Sequence, residues 1–265
     1  MNIITREMKA NLKSLIIWSI GVLFMVGAGM GKYAGMGGSG ETMNELMAEM
    51  PESLQAIMGT AGFDLSKAMG FYGLLYLYLI VMATIHAVML GANIIAKEER
   101  DKTVEFLLVK PISRVKVISF KLVASLLNVL VFNLVTLASS IIIVGRYAEG
   151  EKVVGDIVLL MVGMFCLQII FLVIGTAIAV VYKNAKKAGA VSTGILLITF
   201  LLAIIINLDQ RLAALRYITP FKYFEAEPIL NTSSLDPFYL GLSLIIVVVL
   251  TFTTYHYYKK KDLHL

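Results

Sequence analysis

A chain of 265 residues that is 58% hydrophobic and 15% charged departs from the roughly 45–50% apolar, 25% charged balance of soluble domains, so most of it expects lipid. Its single cysteine, Cys166, lies inside an apolar run and excludes a disulfide framework or a cysteine-based metal site. The formal charge of +5 follows the sidedness of a membrane rather than the clustering of a nucleic-acid binder.

A helix rises 1.5 Å per residue, so crossing about 30 Å of hydrocarbon takes roughly 20 mainly apolar residues. The first such stretch runs from Leu15 to Gly31, behind Arg6, Lys9 and Lys13. It lacks a small-x-small cleavage site before its charged loop, so it reads as a retained anchor rather than a signal peptide. Inside it, Gly27-Ala-Gly-Met-Gly-Lys-Tyr imitates a phosphate-binding loop, but Val26 stands where that motif needs glycine and Tyr33 where it needs Ser or Thr. Gly27 and Gly31 make a small-xxx-small pair suited to close helix packing. The loop Lys32 to Gly70 follows, with glycines from Gly35 to Gly40 and a Met-rich stretch, Met43 to Met58, broken by Pro51. That stretch can lie at the interface as an amphipathic helix, either capping the loop or touching substrate.

The second span runs from Phe71 to Ala96, and a charged connection, Lys97 to Lys121, leads to the third, Leu122 to Gly145. After a short loop, 146–156, come the fourth span, Ile157 to Tyr182, and the fifth, Ala188 to Leu208. Residues 209–237 then carry Arg216-Tyr-Ile-Thr-Pro-Phe-Lys-Tyr-Phe, an aromatic and basic mix suited to the headgroup layer or to a re-entrant hairpin. The sixth span is Phe238 to Tyr258. The expected fold is thus an all-α membrane protein, with residues 1–265 forming one transmembrane domain of six helices. Polar residues inside spans are costly and few: His86, Asn93, Asn128, Asn133, Gln168 and Asn207. No span holds a central Asp or Glu, which argues against a proton relay and for interhelical hydrogen bonding by His86.

Basic residues resist export across the membrane, so their distribution sets orientation. Sixteen of the 23 fall on one side: Arg6, Lys9 and Lys13, seven between Lys97 and Lys121, then Lys183, Lys186 and Lys187, and Lys259 to Lys261. The opposite side holds the other seven together with twelve acidic residues between Glu41 and Asp236. Both termini are therefore expected in the cytoplasm, and loops 32–70, 146–156 and 209–237 outside.

The connection Lys97 to Lys121 reads KEERDKTVEFLLVKPISRVKVISFK, densely charged yet holding Val104, Phe106, Leu107, Leu108 and Val109. A short surface helix ended by Pro111 is expected, serving either as a lipid anchor or as a docking element. Here the sequence resembles the permeases of ABC type-2 exporters. Their hallmark is an acidic-acidic turn, Gly-Thr, Glu, Leu-Leu, two residues, Pro, then Ser-Arg and a lysine opening the third membrane helix. Glu98, Glu99, Thr103, Glu105, Leu107, Leu108, Pro111, Ser113, Arg114 and Lys121 stand in those places, with Lys102 where the family has glycine. Met50-Pro-Glu before the second span and Thr219-Pro-Phe-Lys-Tyr before the sixth extend the likeness along the chain.

The resemblance implies that this segment is a coupling helix resting in a cleft of a separate ATPase subunit. That partner would bind ATP and magnesium; this chain would carry no cofactor and no catalytic group. Two permease copies, identical or different, would rock between inward and outward openings in a cell membrane, plausibly the bacterial plasma membrane. The apolar, Met- and aromatic-rich spans suit a hydrophobic or amphipathic substrate, such as an antimicrobial, a drug-like compound or an amphipathic peptide. The rival is an autonomous membrane protein, a secondary carrier or a structural or sensory subunit, for which Lys97 to Lys121 is an anchor. No self-similarity between halves supports the inverted repeat of a carrier.

The orientation has a direct test. Cysteines introduced at Ser39 and Ser233 are expected to react with an impermeant thiol reagent from outside, and one at Lys186 is not; reversed labelling would invert the topology.

Overall fold

The structure is a computed structural model that describes residues 3–35, 44–45, 47–58, 60, 62–100, 113–148, 150–182 and 184–260. Six helices are long and apolar enough to span a bilayer. In chain order they are α1 (Ile3–Gly35), α3 (Ala68–Arg100), α4 (Arg114–Gly145), α5 (Val153–Val181), α6 (Ala185–Leu208) and α8 (Pro237–Lys260). Two short helices lie between them, α2 (Glu52–Met58) and α7 (Ala226–Thr232), and 3₁₀ turns cover Gln210–Ile218 and Pro220–Tyr223. No strand occurs among the described residues.

Helix ends differ from span ends. α1 begins at Ile3 rather than near Leu15, α3 runs on to Arg100, and α4 starts at Arg114 rather than at Leu122. At 33 residues, α1 and α3 are each about 50 Å long, well beyond the hydrocarbon thickness. Charged residues end the membrane-embedded part without ending the helix, because Lys, Glu and Arg are good helix formers in water. Of the expected non-membrane segment, 97–100 therefore belongs to α3 and 114–121 to α4. The helix expected over Thr103 to Val109 lies outside the described residues, as do Glu105, Leu107, Leu108 and Pro111.

α3 and α5 form the centre. In α3, 72% of the most apolar window is buried inside the bundle, against 11% in α8, so α3 is a core element and α8 a peripheral one. The two central helices meet backbone to backbone. A Cβ on Gly91 would lie 2.2 Å from Leu172 O, and one on Gly175 would lie 2.4 Å from Val88 O and 2.9 Å from Ala92 N. Ala87, Ala92 and Ala179, all fully buried, extend the small-residue surface along the crossing. Without a hydrophobic drive between helices in lipid, such close packing is a principal source of association. The pair expected in α1 is placed differently. Gly27 and Gly31 have nothing within 4 Å of an added Cβ, while Gly29 takes the Leu75 side chain, which a Cβ would meet at 2.5 Å. The spacing was right for a packing motif, but that face of α1 turns away from its own bundle.

Polar side chains tie the helices together. Tyr72 Oη donates to Ser140 Oγ at 2.7 Å, and Tyr76 Oη to Leu160 O at 2.9 Å. Asn133 Nδ2 donates to Gln168 Oε1 and Met161 O, both at 3.1 Å, joining α4 to α5. Thr176 and Thr254 hydroxyls lie 3.2 Å apart between α5 and α8. His86 meets the expectation of an interhelical polar contact only loosely, facing the Asn128 amide of α4. Its ring stacks on Phe132 at 4.8 Å and tilts against Trp18 at 5.8 Å, with Nδ1 making no hydrogen bond. Asn128 is beside it, yet neither amide atom reaches hydrogen-bond geometry. The imidazole thus bridges α1, α3 and α4 through its ring faces.

The crossing dictates a contrast. Gly175→Ala places a methyl against carbonyl and amide atoms that cannot rotate away, and overpacking of this kind costs about 1–3 kcal/mol or more. It is expected to lower the unfolding midpoint in detergent sharply, whereas Gly27→Ala is expected to leave the monomer's midpoint unchanged or slightly raised. Equal behaviour of the two variants would refute the crossing.

Candidate functional site

Two ends of the bundle carry the candidate features. At one, the last turns of α3 and the first of α4 flank the segment with the family-like motif. Ser113 caps α4 in extended conformation, its Oγ accepting from Lys116 N at 3.4 Å. Arg114 Nη1 donates to Lys259 O at 3.2 Å, a cation on the free carbonyls of the C-terminal turn of α8. Ile3 packs with Val117 and Phe120, so the start of α1 and the end of α8 share this end with the start of α4. Beneath lies an apolar base in which Ile94, Ile95, Ile118, Val180, Ala188 and Tyr258 draw five of the six spans together. Lys121, 1% exposed, donates from Nζ to Ile94 O at 2.6 Å and so fastens α4 to α3 directly under the segment. Glu98 and Glu99 lie in the last turn of α3. Of the expected coupling residues, the structure thus positions Arg114 and the backbone of these two glutamates.

At the opposite end, residues 209–237 fold back against the bundle as a hairpin, whichever of the two arrangements, headgroup layer or re-entrant, the bilayer gives them. Its two 3₁₀ turns and α7 bury Phe221, Phe224 and Ile229 between the spans. Phe221 contacts Phe171 of α5 at 5.1 Å and Phe200 of α6 at 5.3 Å. Gly163 of α5 makes room, since a Cβ there would press on Phe224 and Ile229 at 3.3 Å. Tyr223 stacks on Tyr239 at 5.0 Å and donates to Tyr217 O at 2.5 Å; burial pushes its phenol up to about 12. The Met-rich stretch before it is helical in α2, whose Leu54, Ile57 and Met58 remain exposed, as an interfacial helix requires.

Between the hairpin, α3 and α6 is a cavity of about 290 Å³. Phe63, Tyr76, Phe200, Phe221 and Phe224 give it aromatic walls, and Asn207, Glu225 and Glu227 bring polar groups to its rim. Lys222 Nζ lies 2.6 and 2.5 Å from the two Glu225 oxygens and 2.5 Å from Asn207 Oδ1. Asn207, expected as a polar residue within a span, is thus spent on holding the hairpin at the end of α6. Phe63 is supplied by a loop ordered around Asp64. That carboxylate accepts from Ser66 Oγ at 2.5 Å and Asn44 Nδ2 at 2.8 Å, which holds it below the usual carboxylate range. Sequence reading singled out the hairpin's aromatic and basic residues but missed Phe63, Glu225 and Glu227, which come together only through the fold.

The model of the family described as ABC-2 family transporter protein matches residues 1–263, and the chain belongs to that family. Among curated proteins no match was found.

The hairpin's seat predicts its own failure mode. Truncating a buried Phe costs about 3–5 kcal/mol, so Phe221→Ala is expected to release the hairpin and open residues 209–237 to protease in detergent. Unchanged cleavage would mean that Phe221 does not anchor it.

Proposed function

We propose, from membership of this transporter family, that the chain is the membrane-spanning half of an ATP-driven exporter, pairing with a second permease copy and with separate cassette ATPase subunits. The observation that supports the reading best is the coincidence of motif and platform. The stretch Glu98 to Lys121, which carries the family-like residues, spans the gap between two helices fastened to each other by Lys121 and Ile94 O. A push on the Thr103 to Val109 helix would then act on α3 and α4 jointly rather than bend a free loop. Both termini and this segment face the cytoplasm in this reading, on the strength of the lysine and arginine bias. ATP and magnesium belong to the partner ATPase. The substrate is a hydrophobic or amphipathic compound, in keeping with aromatic walls and apolar spans, moved outward by alternating access across the plasma membrane.

Coupling is the step on which this depends. If Leu107 and Leu108 are buried only in the ATPase cleft, each contributes roughly 1.5–3 kcal/mol to docking, and 1.4 kcal/mol is tenfold in affinity. Leu107→Ala with Leu108→Ala is expected to abolish ATPase capture in a detergent pull-down and transport in vesicles, while the protein remains inserted. Glu99→Gln is expected to uncouple mildly and in a salt-dependent way. Full association and full transport by the double variant would favour the autonomous-protein reading.

A further inference from the structure

The rim of the cavity beside the hairpin carries an exposed carboxylate, Glu227, that no cation among the described residues neutralises. Glu225 is accounted for by Lys222. Glu227 also lines the cavity, and among the described residues it has neither a hydrogen bond nor an ion pair. Its side chain is exposed but lies against the loop before α3. Gly62, at φ +81°, brings the loop so close that a Cβ there would lie 2.6 Å from Glu227 Oε1. The cavity that Glu227 helps to line has aromatic walls. Phe200 and Phe221 meet edge to face at 5.3 Å, and Tyr76, its hydroxyl committed to Leu160 O, presents its ring. Phe63 closes the side against Gly73, where a Cβ would meet its ring at 2.6 Å.

Chemistry narrows the guest. An uncharged apolar molecule could fill the aromatic walls but would draw nothing from Glu227, which stays in water at the rim. A metal ion would find one uncommitted carboxylate where it needs six or more oxygen ligands. An anion is repelled. An organic cation meets both features, its head against Glu227 and its methyl or ring carbons on the aromatic faces, which attract cations through their quadrupoles. A volume of about 290 Å³ is at the lower end for small-ligand pockets and admits a head and a ring rather than a peptide.

We propose that this cavity binds a monovalent organic cation of the arylalkylammonium type, and that such cations are the substrate class. The binding site stands on the geometry alone; its assignment to substrate rests on the export reading.

The probe is benzyltrimethylammonium, titrated into the permease in a maltoside detergent, with N,N-dimethylbenzamide as the neutral counterpart of similar size. The cation is expected to bind about tenfold more tightly than the neutral compound, a factor within the range of a partly desolvated cation on aromatic faces, and more weakly as salt rises. Glu227→Gln is expected to erase that preference with the melting temperature unchanged, Phe200→Leu to weaken the cation, and Asp156→Asn, outside the cavity, to leave it as in the wild type. Equal binding of the two probes, or a Glu227→Gln variant that keeps the preference, overturns the site. Displacement of the cation by dioctanoyl phosphatidylcholine at matching affinity reassigns the cavity to a lipid headgroup and also overturns the proposal. Reconstitution with the ATPase partner separates the two readings. Cation binding without ATP-driven efflux retains the site and sinks its role in export, whereas cation efflux untouched by Glu227→Gln, with binding lost, means that the cation leaves by another route and removes the cavity from the export path.

Discussion

The contact of α3 with α5 at Gly91 and Gly175 sets the geometry of the bundle. Backbone atoms this close leave no slack: Leu172 O occupies the space of a Gly91 side chain, and Val88 O that of Gly175. Two long helices are therefore locked in register near the end of the bundle that carries both outer helix ends. The hydrogen bonds of Tyr72, Tyr76 and Asn133 fall into place further along the same helices, toward the hairpin. Each is worth little by itself in a membrane, about 0.6 kcal/mol on average where measured. Their effect is to specify register on a crossing that close packing already favours.

A second consequence concerns what the remaining helices do. With α3 and α5 filling the centre, α1, α6 and α8 ride on the outside and present rows of large apolar side chains, such as Ile17, Phe24, Ile198, Leu201, Leu244 and Phe252. Those rows match hydrocarbon. They also include the outward Gly27 and Gly31 face of α1, whose spacing suits another helix. Buried charge, by contrast, gathers at the ends. Lys121 is satisfied by the Ile94 carbonyl, and Glu7, 2% exposed, pairs through Oε1 with Arg6 at 2.6 Å, while its Oε2 has no partner among the described residues. A paired charge near the hydrocarbon boundary is far cheaper than one at the midplane, which is why helices as long as α1 and α4 can extend beyond the bilayer without fraying.

The spans were legible because length and the absence of charge are properties of single segments. The hairpin was legible only as one of two alternatives, because a proline among aromatics next to a span suits the headgroup layer equally well. Helix ends were not, because charge marks where lipid stops and Arg100 or Arg114 is as comfortable in a helix in water. Gly27 with Gly31 and Gly175 with Ala179 look equivalent on paper, each a small-xxx-small pair; which of them meets a neighbour depends on the rotation of the helix, which a sequence does not state. The cavity was the least legible feature. Phe63 and Glu227 are 164 residues apart, and only the return of the hairpin to α3 makes them neighbours. A hint existed in the Glu225-Ala-Glu227 pair beside the aromatic run, where the single lysine, Lys222, cannot neutralise both carboxylates.

The two ends of the bundle are joined by the same helices. α3 supplies Gly73, Tyr76 and Ile80 to the cavity and Ile94 to the apolar base; α6 supplies Phe200, Ala203 and Asn207 to the cavity and Ala188 to the base. Packed cores do not deform continuously, so a force applied to the base moves such helices as bodies rather than dissipating along them. The Gly91 and Gly175 crossing fixes α3 to α5, whereas Gly189 and Gly194 of α6 have nothing within 4 Å of an added Cβ. We take α6 as the wall that moves in the proposed reading. On the proposed reading, a stroke at the coupling segment reaches the cavity as a shift of α6 against a fixed α3, and the Lys222 bridge from Asn207 at the end of α6 to Glu225 of the hairpin makes the hairpin follow. That places Glu227 on the moving side and Tyr76 on the fixed one, so a guest held between them would lose one of its two contacts whenever the wall moves.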